Sequence, residues 1–76
     1  MFKRRLGELE VRRCTLGRNC PQVLELLDGD FAVVGTDITA EAKQAMPHGP
    51  GVGKRESVVR IPRAILIAAR ADIPIA

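Results

Sequence analysis

The strongest constraint on the fold is Asp28-Gly29, set within an apolar stretch that runs from Gln22 to Ile38. An Asp-Gly pair suits the positive backbone angles of a tight two-residue loop, so the segment is read as an antiparallel β-hairpin. With Asp28 and Gly29 as the loop, Leu27 faces Asp30, Leu26 faces Phe31, Glu25 faces Ala32 and Leu24 faces Val33. That register gathers Leu24, Leu26, Phe31 and Val33 on a core-forming face. Glu25, Ala32 and Val34 then lie on the opposite face, toward solvent or a partner. A lone hairpin is marginal in water, so the sheet needs a third strand or a covering helix.

The rest of the chain offers both. Phe2, Leu6 and Leu9 are spaced four and three apart, which predicts a short basic helix over Phe2 to Val11, although Leu9, Val11 and Arg13 also permit an extended exit. A turn-rich connector follows from Cys14 to Pro21. Thr39 is placed to cap a helix running to Ala45, with Glu41 in its first turn and Pro47 beyond its end. Residues 47–54 carry three Gly and two Pro and cannot join a ladder. Ser57 to Ile61 has the β-branched content of a strand. Pro62 suits the first turn of a last helix, Arg63 to Ala71, with Ile65, Leu66 and Ala69 as its buried stripe. Ile65 to Ile67 also fits a strand. The expected class is α+β: an antiparallel hairpin plus a third strand, packed with short N- and C-terminal helices.

At 76 residues the chain holds one core. It reads as a single domain, 1–76, with a basic N-terminal segment 1–13, a core 14–71 and a Gly/Pro-rich loop 47–56. Large-substrate enzyme folds do not fit in this length. Hydrophobic residues at 46% and charged residues at 28% exclude disorder and a membrane protein. The longest apolar run, Ala64 to Ala69, is too short to span a bilayer. With no secretory leader legible at the N-terminus, the expected compartment is the cytoplasm.

The net charge of +3 is unevenly spread. Lys3, Arg4, Arg5, Arg12, Arg13 and Arg18 face only Glu8 and Glu10 in the first eighteen residues. Residues 19–53 are acidic, and Lys54, Arg55, Arg60, Arg63 and Arg70 make the end basic again. Basic ends meet nucleic acid by counterion release, and equally serve as a solvated surface.

Cys14 and Cys20 flank a five-residue loop and admit three readings: reduced thiols, the default in a cytosolic chain; a disulfide; or two ligands of a metal. His48 brings a zinc set to three, one short of a structural site, so no cofactor is expected and zinc on Cys14, Cys20 and His48 is the exception. Gly49 to Lys54 resembles a phosphate loop but has His48 where the motif needs Gly and Arg55 where it needs Ser or Thr. His48 has no nucleophile associated with it, and Glu25, Asp28 and Asp30 lack the spacing of a calcium loop. No catalytic residue is expected. Against nucleic-acid binding, Phe2 and Phe31 are the only aromatic residues, too few for stacking platforms. A β-ribbon dimer on duplex DNA stays open.

The stretch Cys14-Thr-Leu-Gly-Arg-Asn-Cys-Pro-Gln-Val-Leu-Glu-Leu26 resembles the small actinobacterial domains related to the developmental regulator BldB. There a Gly/Asn-rich loop and an Asn-Cys pair lead into a Val-Glu-Val strand. Gly17, Asn19, Cys20, Val23 and Glu25 stand at the counterpart positions, and Phe31 to Val34 matches the returning Val-Ala-Val strand. The likeness extends from residue 12 to residue 70, but this chain has Gly35-Thr36-Asp37-Ile38 after the second strand and no Trp in the last helix. The resemblance implies a non-enzymatic regulatory protein that self-associates and acts by contact with a helix-turn-helix transcription regulator. The expected contact residues are Arg4, Arg5, Arg12, Arg13, Glu25, Ala32, Val34, Arg60 and Arg63. The alternative is a direct DNA-binding homodimer, antitoxin-like.

Overall fold

A computed structural model describes residues 1–8 and 20–75. Phe2–Leu6 is a strand, β1, and not the predicted helix. Its apolar residues at positions 2 and 6 fit a period of two as well as a helical turn. The pairing with the hairpin decides between them, because an extended Arg4 meets a carboxylate there and Leu6 enters the core. The helix reading of Phe2 to Val11 is overturned over Phe2–Leu6. Its continuation beyond Glu8, like Arg12, Arg13 and residues 14–19 of the connector, lies outside the described residues.

The hairpin consists of β2, Gln22–Leu26, and β3, Phe31–Val34. β2 is the central strand of an antiparallel sheet in the order β1-β2-β3. The turn is one residue longer than predicted. Leu26 N–H donates to the Asp30 carbonyl at 2.8 Å, and Gly29 N–H donates to the Leu26 carbonyl at 3.1 Å. The loop is therefore Leu27-Asp28-Gly29, with Gly29 left-handed at φ 97° and the Asp28 carboxylate accepting from Asp30 N–H at 2.9 Å. Val23 now faces Val33, Leu24 faces Ala32 and Glu25 faces Phe31. The one-residue change leaves the faces of β3 as predicted and turns every side chain of β2 over.

β1 joins the other edge of β2, with Arg4 opposite Glu25, Arg5 opposite Leu24 and Leu6 opposite Val23, and a bulge between Phe2 and Arg4. Val59–Arg60, β5, does not complete this sheet as expected of the Ser57 to Ile61 segment. It pairs with Thr36–Asp37, β4, in a separate two-stranded sheet, extended by Ile38 N–H donating to the Val58 carbonyl at 2.9 Å. Between them lies α1, Thr39–Ala45. Thr39 is its first helical residue and not its cap. The carboxylate of Asp37 takes the capping task, accepting from Thr39 N–H at 2.9 Å.

Arg63–Arg70 forms α2, opened by Pro62 with φ −61° and ψ 145°. Its Ile65 and Ala69 pack with Leu6 and Val23, and Ile61 lies against this cluster. Leu66, placed in the buried stripe by the sequence, is exposed, as is Ile67. Gly7 lets β1 approach the helix. It is left-handed at φ 61°, and a β-carbon there would stand 2.8 Å from Ala68 Cβ. No helix among the described residues is long and apolar enough to cross a membrane.

Candidate interaction surface

The sheet presents two chemically different faces. The α2 side carries Leu6, Val23 and Glu25, with Phe31 and Val33 at the far edge. Glu25 was placed by the sequence on the outer face as a contact residue. It is 4% exposed on the α2 side, so that assignment is overturned. Its Oε1 accepts from Arg4 Nε at 3.0 Å. A second guanidinium nitrogen of Arg4 donates to the Asp72 carbonyl, and Asp72 Oδ2 accepts from Gly7 N–H at 2.8 Å. Arg4 is thus engaged in joining β1, β2 and the turn after α2, which differs from the free contact group expected of it.

The outer side carries Arg5, Gln22, Leu24, Ala32 and Val34. Arg5 Nε donates to Gln22 Oε1 at 2.6 Å, so this guanidinium lies along the sheet surface. Val34 is 46% exposed, and Leu24 and Ala32 are partly buried. At the Val34 end the face opens into a groove of about 600 Å³ whose lining includes Cys20, Pro21, Gln22, Val34, Thr36, Arg60 and Pro62. Four of the predicted contact residues, Arg5, Ala32, Val34 and Arg60, therefore share one face and its groove. Arg63 stands exposed at the start of α2, one residue past Pro62. Gln22 and Thr36 escaped the sequence reading, since a lone amide or hydroxyl in a strand carries no pattern.

The groove combines hydrogen-bonding groups with apolar surface. Its polar groups are an amide, a hydroxyl and a guanidinium, beside apolar Val34 and two prolines. Glu25, the one buried charged side chain among the described residues, is already paired. The carboxyl of Asp37 is held below its ordinary value of 3.8, first by the Thr39 hydroxyl and then by the Thr39 N–H, with desolvation, the smallest of the three causes, acting the other way. That is the chemistry of a helix start. The Thr39 hydroxyl donates to Asp37 Oδ1 at 2.6 Å and accepts from Val58 N–H at 2.9 Å, tying the start of α1 to the residue that precedes β5.

Cys20 is disulfide-bonded, which replaces the default reading of a reduced thiol and takes its sulfur out of the proposed zinc set. His48 is exposed in the loop after α1, and among the described residues no three His, Cys, Asp or Glu side chains gather around a point that could hold a metal. Cys14 lies outside the described residues. In the Gly-rich loop the Glu56 carboxylate accepts from Gly53 N–H at 2.7 Å, placing an anion where a phosphate loop would offer its amides. Comparison of the chain with protein-family models, with curated proteins and with solved structures finds no match in any of the three.

Proposed function

We propose that this chain is a non-enzymatic regulatory module that works by protein contact. Its contact face is the outer side of the sheet, Arg5, Ala32 and Val34, continued through the groove to Arg60. The observation that carries the reading is the union on this face of an exposed β-branched side chain, partly buried apolar neighbours and two basic groups. That mixture suits a protein partner, whose interface has an apolar centre and a charged rim. The resemblance to BldB-like domains makes a helix-turn-helix transcription regulator the first partner to test, and it supports a module that works as a pair. Self-association and regulator capture are separate parts of this reading and are tested separately.

Affinity capture from nuclease-treated native extract, read by mass spectrometry, tests the regulator. The expected result is one helix-turn-helix regulator at near-equal amount, lost on Val34→Asp and on Arg60→Ala. Capture of DNA before nuclease treatment, with no protein retained after it, overturns the reading in favour of direct DNA binding through the basic ends.

A further inference from the structure

The edges of the main sheet are guarded unequally. The β1 edge carries Lys3, Arg4 and Arg5 and is interrupted by a bulge, two devices that discourage another strand from adding to it. The β3 edge, Phe31-Ala32-Val33-Val34, has no charge, no proline and no bulge against β2. Phe31, Val33 and Val34 are 42%, 44% and 46% exposed.

The hairpin geometry also says which backbone groups that edge offers. The hydrogen bond from Leu26 N–H to the Asp30 carbonyl fixes the alternation along the ladder. Ala32 and Val34 exchange their hydrogen bonds with β2, and the N–H and C=O of Phe31 and Val33 point away from it. No described residue takes up these four groups.

We infer that a second copy of this chain pairs with β3, antiparallel and centred on Ala32. Phe31 of each copy then exchanges two hydrogen bonds with Val33 of the other, so all four outward groups are satisfied by their own symmetry mates. Ala32 faces Ala32 at a pair without hydrogen bonds, where side chains approach most closely and small ones fit. The two-fold axis stands perpendicular to the sheet, giving six continuous strands with both α2 helices on one side. Phe31 and Val33 of both copies form the apolar strip between those helices. This inference rests on the reading above in one respect only, that the module works as a pair.

Light scattering after size exclusion, on the full chain across a hundredfold concentration range, tests it with two variants. Val33→Pro removes an outward N–H without breaking the β2 ladder, and Val33→Lys puts a charge into the strip. The wild type is expected at twice the chain mass, and each variant is expected to weaken the pair at least tenfold while keeping its far-ultraviolet circular dichroism. Ala32→Cys is expected to give a covalent dimer through the introduced thiols under mild oxidation, mapped by mass spectrometry. Ala40→Cys on α1 is expected to give none. A dimer that survives both Val33 substitutions, with Ala32→Cys crosslinking no faster than Ala40→Cys, overturns the β3 interface and leaves self-association standing. A wild-type monomer over the whole range overturns both, while the regulator capture stands or falls on its own assay.

Discussion

The contact between Arg4 and Glu25 is asymmetric, and its two ends should respond differently to mutation. The Glu25 side chain is 5% exposed and that of Arg4 is 45% exposed. If Arg4 is removed, a carboxylate is left buried without its charged partner. If Glu25 is removed, the guanidinium can still reach water. Arg4→Ala is therefore expected to cost about 1–3 kcal/mol, below the figure for fully buried pairs because one partner is solvated. Glu25→Met should cost less than Arg4→Ala, since an apolar side chain suits the α2 side of the sheet. Urea denaturation of both variants at neutral pH measures the difference, and equal losses would refute the asymmetry. Gly7→Ala should rank above both. It forces a left-handed residue to carry a β-carbon against the Ala68 backbone and side chain, at about 2 kcal/mol or more.

Among the elements, the hairpin and both described helices were legible from Asp28-Gly29, from the Thr39 to Ala45 segment and from Pro62. What was not legible came from two coupled ambiguities. Asp-Gly serves a two-residue loop or closes a three-residue one, and only the strand partners choose. The alternation of Leu24 and Leu26 around Glu25 argued for leucines inside. The actual register puts Glu25 inside because Arg4 is there to meet it, and Arg4 is there only because β1 is a strand. Reading Phe2 and Leu6 as a helical pair thus hid the residue that would have corrected the hairpin. Of the proposed contact face, Arg5, Ala32, Val34 and Arg60 were nominated through charge and strand parity, and the structure shows only that they lie together. The groove was not, because it depends on where the second sheet sits. At this scale the link between Asp37, Thr39 and Val58 makes a prediction about pH. The Asp37 carboxyl is held below its ordinary 3.8, so its contribution is complete above that value and is lost as pH falls through the lower, folded-state value. Asp37→Ala should melt below wild type at pH 7, and the gap should narrow below pH 3.8. A gap independent of pH would mean that the carboxylate charge has no part in starting α1.

For the whole molecule the decisive quantity is the size of the core. Its buried apolar cluster among the described residues is Leu6, Val23, Ile65 and Ala69, and a domain of this length has about 4–11 kcal/mol of stability in all. Leu6→Ala, expected to cost about 2–4 kcal/mol, would remove a large part of that. A core this small makes folding and pairing hard to separate, because burying Phe31 and Val33 between two copies adds apolar contacts that one copy lacks. Unfolding of such a pair yields two chains, so each tenfold rise in concentration favours the folded dimer by about 1.4 kcal/mol, or about 0.7 kcal/mol per chain. At 4–8 °C per kcal/mol for a domain of this size, the melting temperature should climb by about 3–5 °C per tenfold increase in concentration. Calorimetry on the wild type and on Val33→Pro at matched concentrations checks it. The variant should melt at a temperature independent of concentration. It should also melt below the wild type by a margin that widens as the wild type is concentrated, since only the wild type gains from mass action. A wild-type melting temperature flat across two decades of concentration would show that the four-residue cluster folds the chain without help from a second copy.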